Sequence, residues 1–146
     1  MLNPAQHNPV QSTVLFPWLD WGKRTAGLTV PWFTLAFTLC SVMLSLATDA
    51  LMMFCFDRVA IDQGEWWRLI TGHLVHSSLD HLWWDALAFF CVGYYLEVKS
   101  LKLLLIALLT GFVMVNGLLL SPWSPLLYYC GLSGLLFAPL TLALWM

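Results

Sequence analysis

Four apolar stretches alternate with short polar segments along this chain: residues 30–54, 79–96, 101–120 and 133–146. A helix needs about 20 residues, at ~1.5 Å rise each, to cross the ~30 Å hydrocarbon core of a bilayer. The first three stretches meet that requirement. The fourth offers roughly 21 Å of helix, so it reaches the far interface only if it begins inside the membrane. Residues 1–28 show no signal-peptide pattern, because Asn3, Gln6, His7, Asn8 and Gln11 stand where an apolar core would be. The pattern predicts an all-α membrane protein with about four transmembrane helices: a lead-in over 1–28 and one membrane domain over 29–146.

Composition supports that class. Apolar residues make up 60% of the chain and charged residues 10%, and the mean hydropathy is +0.79. A soluble globular chain carries about 25% charged residues, so much of this surface must face lipid. A net charge of −2 with six Lys and Arg leaves no basic footprint for nucleic acid. Many tryptophans fall near the ends of the apolar stretches, as interfacial belts do. Lys23, Arg24, Lys99 and Lys102 lie on one side of the expected spans, against Arg58 and Arg68 on the other. That asymmetry predicts a cytoplasmic N-terminus, with residues 57–78 and 121–130 facing outward.

The longest connection, 57–78, contains Glu65-Trp66-Trp67-Arg68 and Thr71-Gly72-His73-Leu74-Val75-His76. Paired tryptophans beside arginine suit an interfacial anchor with rings toward the bilayer and guanidinium outward. Cys40 and Cys91 fall inside spans, where a thiol is a small apolar filler. Cys55 and Cys130 both lie near the outer face, but their spacing demands no bond, and we expect no structural disulfide.

Chemistry concentrates on few residues. His81 and Asp85 are four apart and share a helix face; an unpaired carboxylate near mid-bilayer costs about 2.5 kcal/mol or more, so the pair must face the interior. It is either a packing contact between helices or part of a site. Asp49, late in the first stretch, reads as an interfacial residue. His73, His76, His81 and Asp85 are ligand types that zinc accepts, yet no HExxH motif is present and no metal is expected. In Gly131-Leu132-Ser133-Gly134 the serine stands at a helix start. It is either an N-cap or a nucleophile whose neighbouring amides and helix dipole can hold an oxyanion.

Taken in order, Trp67-Arg68, His76, His81 with Asp85, Gly93 with Glu97, and Gly131-Leu132-Ser133-Gly134 resemble the rhomboid family of intramembrane serine proteases. The run Thr71–His76 is most similar to the rhombosortase branch. The resemblance implies a rhomboid-like helical bundle with Ser133 as nucleophile in a cavity below the outer surface. It places His81 with its i+4 partner, His76 and Gly131 around the oxyanion. Trp67 and Arg68 become the loop's WR pair, and Gly93 and Glu97 mark the cytoplasmic end of the second helix. It further implies an integral protein of a bacterial inner membrane that cleaves membrane-anchored protein substrates without metal or cofactor. For the rhombosortase branch, those substrates would carry C-terminal Gly-Gly sorting tails.

Three departures qualify that expectation. Asp85 stands where the family usually has asparagine, and an ionised carboxylate accepts hydrogen bonds but donates none. Gly72 stands where many relatives have a further histidine. No histidine follows Ser133, whereas the family's base lies on a sixth helix. The expectation is therefore a rhomboid truncated after its fourth helix, with little or no proteolysis by this chain alone. The alternative is a non-catalytic protein that binds transmembrane helices through His81 and Asp85.

Overall fold

The computed structural model describes residues 29–146, so the expected lead-in, with Lys23 and Arg24, lies outside the described residues. Helix α1 (Trp32–Ser45) leads to a short α2 (Ala50–Phe54), then a two-residue strand β1 (Phe56–Asp57). Two short helices follow, α3 (Arg58–Asp62) and α4 (Arg68–Thr71), before the long α5 (Leu79–Leu120), strand β2 (Tyr128–Tyr129) and α6 (Ser133–Trp145).

The first apolar stretch is not one span. Helix α1 ends at Ser45, and Asp49 adopts a left-handed conformation at φ 58° before α2 begins. Aspartate tolerates that region better than most residues, so the Thr48-Asp49 turn breaks an element that hydrophobicity alone would have continued.

Helix α5 is long and apolar enough to cross a membrane, with a mean hydropathy of 2.5 over its best window. It is not straight. Ser100 has extended backbone angles (φ −168°, ψ 106°), and its hydroxyl accepts the Leu103 N–H at 3.4 Å, starting the second arm. A straight helix would hold Asp85 and Asn116 about 46 Å apart. Instead His76 contacts Asp85 while His73, three residues earlier, bonds Asn116. The chain therefore reverses at Ser100, and residues 79–99 and 101–120 form two arms of the length a bilayer requires. Helices α1 and α6 are apolar but shorter.

Both arms, α1 and α6 share one core. Phe89, Leu96, Leu104, Leu108, Leu132, Leu135 and Leu136 are buried together, with Phe33 and Phe37 packed against them. A smaller cluster of Phe56, Ile61 and Leu119 fixes the loop to the end of the second arm. Trp83, Trp84, Leu87, Leu109, Val113, Phe137 and Leu144 are exposed, an outer surface suited to lipid rather than water.

Close helix contacts depend on missing side chains. Pro139, inside α6, has no N–H to give the carbonyl of Leu135. Gly111 comes so near that oxygen that a Cβ would stand 2.8 Å from it. At the other end of the bundle a Cβ on Gly93 would meet Thr34 at 2.8 Å. Beside it, Glu97 accepts the N–H groups of Phe33 and Thr34 at 2.9 and 2.7 Å and the Thr34 hydroxyl at 2.6 Å. Helix α1 has no side-chain cap of its own, so Glu97 supplies one from the first arm of α5.

Removing that cap should loosen α1. Glu97→Ala is expected to lower unfolding stability in detergent micelles by about 1–3 kcal/mol, with Glu97→Gln losing less because it keeps an acceptor. Equal stability of wild type and Glu97→Ala in denaturant titrations would contradict the capping role.

Candidate active site

The turn entering α6 is built around Gly131, whose φ of +114° only glycine adopts readily. Its carbonyl accepts the Tyr129 hydroxyl at 3.0 Å, and the same phenol oxygen accepts the Gly134 N–H at 3.1 Å. Leu132 occupies the N-cap without a side-chain bond, and Ser133 is the first helical residue. The serine is therefore not the cap. Tyr129 satisfies the free Gly134 amide instead, and Ser133 is exposed. Burial pushes the Tyr129 pKa up, which keeps the phenol protonated at neutral pH.

Three side chains converge on this turn. Asp85 Oδ2 accepts the Ser133 N–H at 3.0 Å and lies 3.3 Å from both His76 Nε2 and His81 Nε2. The imidazoles meet edge-on, centroids 5.0 Å apart. His76 is fully buried and His81 is 31% exposed at its side chain, so the cluster opens outward along His81. A Cβ on residue 131 would stand 2.8 Å from the His81 ring and 3.0 Å from Asp85 Oδ2. Gly131 is thus required twice, for its backbone angle and for room.

The far nitrogens are also held: His76 Nδ1 lies 3.1 Å from Ser45 Oγ, and His81 Nδ1 lies 3.3 Å from Ser77 Oγ. The Ser45 hydroxyl donates to Leu74 O at 3.1 Å. Ser45 Oγ thus bridges the Leu74 carbonyl and the His76 ring, and the Leu132 N–H approaches His76 Nε2 at 3.4 Å. One ligand atom from each of His76, His81 and Asp85 lies within 4.8 Å of the others. These are ligand types that an ion of the zinc class accepts.

His73 does not join the cluster. It is buried beside Tyr129 and Phe112, and its Nε2 accepts from Asn116 Nδ2 at 3.0 Å. Burial lowers its pKa to about 4. The tryptophan–arginine pair also departs from expectation. Trp66 and Trp67 are exposed, but Arg68 is 8% exposed and turned into the protein. Its guanidinium pairs with Glu65 at 2.5 Å and donates to the carbonyls of Met52 and Cys55, each at 3.0 Å. Its task is to satisfy the end of α2, which a water-facing anchor could not do. Gly93 and Glu97 lie at the opposite end of the bundle, against Thr34.

Residues 63–146, more than half the chain, match the model of the Rhomboid domain. The chain belongs to this family. It is 34% identical over 94 residues to the rhomboid protease GluP of Bacillus subtilis (strain 168), covering 62% of this chain and 18% of that protein. The chain thus spans less than a fifth of the relative's length. No solved structure matches it significantly. With the long apolar α5, membership of the Rhomboid family makes this an integral membrane protein.

Sequence reading overlooked Tyr129, Ser45, Ser77 and Asn116. Tyr129 stands two residues before Gly131, and its hydroxyl was the available signal: a buried phenol needs a polar partner. Nothing in the sequence pairs Ser45 with His76 or Asn116 with His73, since each contact joins distant segments.

Two outcomes test this geometry. His73 has its ordinary pKa near 6.5 when unfolded and about 4 when folded, so the unfolded state binds more protons between those values. The stability His73 contributes is complete above pH 6.5 and falls as pH drops toward 4. The loss is about 2 kcal/mol between about pH 7 and pH 5. His73→Asn should flatten that slope in unfolding titrations; an unchanged slope would assign it to other groups. Gly131→Ala should disrupt the turn, read as loss of protection of the Ser133 amide in hydrogen exchange.

Proposed function

We propose that this chain carries the nucleophile and oxyanion side of a rhomboid-type intramembrane serine protease, acting on membrane-anchored proteins near the outer surface of the bilayer. One observation carries the reading. The Ser133 amide and two imidazole nitrogens surround a single oxygen position at 3.0–3.3 Å, beside an exposed serine at the positive end of a helix. Donors so disposed suit the oxyanion of an attacked carbonyl. In the resting structure Asp85 Oδ2 fills that position, so the carbonyl oxygen of a substrate would have to displace it.

The four-span arrangement, with α1, both arms of α5 and α6 crossing or entering the bilayer and the N-terminus cytoplasmic, belongs to this proposal. So does the route of a substrate helix. A groove of about 860 Å³ runs between the second arm of α5 and α6, lined by Val115, Met114, Leu118, Gly134, Phe137 and Ala138, and Gly134 adjoins the serine. The family match does not extend to the rhombosortase branch, and sorting-tail substrates are not part of the proposal.

A serine hydroxyl needs a proton acceptor to attack at neutral pH. Among the described residues neither His76 nor His81 hydrogen-bonds Ser133 Oγ; both face Asp85. That arrangement also favours a second reading, a rhomboid-like protein that binds transmembrane helices without cleaving them, its oxyanion position held shut by its own carboxylate.

A serine-reactive fluorophosphonate separates the two. Labelling at Ser133, abolished by Ser133→Ala, supports the protease; unlabelled protein that still binds transmembrane helices supports the binder. Asp85→Asn exchanges an acceptor for a group that can donate. It is expected to speed labelling by about tenfold, equivalent to about 1.4 kcal/mol of barrier. A slower rate would mean that Asp85 assists the serine as a carboxylate.

A further inference from the structure

The two short strands join distant parts of the chain. β1 and β2 run antiparallel, with Phe56 opposite Tyr129 and Asp57 opposite Tyr128. Arg58 N–H donates to Leu127 O at 3.0 Å, which makes 58/127 a hydrogen-bonded position of the ladder. Such positions alternate with non-hydrogen-bonded ones, so 56/129 is hydrogen-bonded and the next step, 55/130, is not. Both residues at that step are cysteines.

A non-hydrogen-bonded antiparallel pair holds its Cα atoms about 4.5 Å apart with side chains at their closest. A disulfide accepts Cα separations of about 4.4–6.8 Å. Cys55 has extended angles (φ −61°, ψ 151°) that continue the strand backwards. Both thiols are free and half-buried, and both line one cavity of about 660 Å³ with Asp57, Ser77 and Tyr128. Burial raises the Cys55 pKa, Arg68 opposes this, and Cys130 is near enough to add to the rise. Cys55 is thus a protonated thiol at neutral pH, stable until an oxidant arrives.

We propose that Cys55 and Cys130 are an oxidisable cross-strand pair whose disulfide clamps the loop held by Arg68 to the turn that presents Ser133. The Cys55 carbonyl already accepts from Arg68, and Cys130 lies between Tyr129 and Gly131, the residues that shape that turn. The bond forms by exchange with a disulfide-bearing oxidant, either a thiol oxidoreductase or a small-molecule disulfide. One cysteine sulfur attacks the oxidant's disulfide and releases its first thiol. The second cysteine attacks the mixed disulfide and releases the other. The pair loses two electrons and two protons, and the oxidant leaves as two thiols. In a cell, access to such an oxidant rests on the outward orientation proposed above; the strand register does not.

The test uses the full chain in detergent, incubated with oxidised glutathione and analysed by mass spectrometry and peptide mapping. The expected product is lighter by two hydrogens, joins the Cys55 and Cys130 peptides, and reverts with dithiothreitol. Cys40 and Cys91, both exposed on the apolar helices, should be alkylated as free thiols once the oxidised protein is denatured. Oxidation should raise the melting temperature by several degrees, because the bond closes a long loop, and Cys55→Ser/Cys130→Ser should show no rise. Only glutathione adducts, bonds between chains, or a pairing through Cys40 or Cys91 would overturn the pair. An intramolecular bond without a rise in melting temperature would overturn the clamp. Neither readout depends on Ser133 reactivity, so this proposal and the protease reading fail separately.

Discussion

The carboxylate of Asp85 is the point on which the polar end of this bundle turns. It accepts from the Ser133 amide at the start of α6 while touching His76 from the loop and His81 from its own helix. A charge in or near lipid is tolerated only when its surroundings supply partners. Three separate segments must therefore arrive together for the carboxylate to be stable. The Gly131 turn, the Ser45 and Ser77 hydroxyls behind the imidazoles, and the half-buried Tyr129 phenol each maintain that convergence.

The same constraint explains the other ionised groups. Arg68 binds carbonyls at the end of α2, Arg58 binds those of Leu120 and Ser121 at the end of α5, and Glu97 binds amides at the start of α1. Helix ends leave backbone groups without intrahelical partners, and an apolar protein has few side chains to supply them. Among the described residues, Arg58, Arg68 and Glu97 supply partners to those ends. The consequence is a loop rigidly joined to both arms of α5, a fixed platform for an exposed serine.

For function, the geometry concentrates hydrogen-bond donors on one oxygen position and fills it with Asp85. A rhomboid-type site that used asparagine there would present a donor. This one presents an acceptor already engaged by the serine's own amide.

Residue order and hydrophobic length by themselves determined the helical membrane class, the boundaries near Leu79, Leu101 and Ser133, the i+4 pairing of His81 with Asp85, and the likeness to rhomboids. These are local or periodic properties, and apolar runs of membrane length have few other solutions. Tertiary structure alone decided the rest. The break at Asp49 depends on a backbone angle that the apolar composition does not encode. The inward turn of Arg68, the diversion of His73 to Asn116 and the register that sets Cys55 against Cys130 all join residues far apart in sequence. Such contacts carry no local signal, because each is chosen by which unsatisfied polar group the packed chain brings within reach.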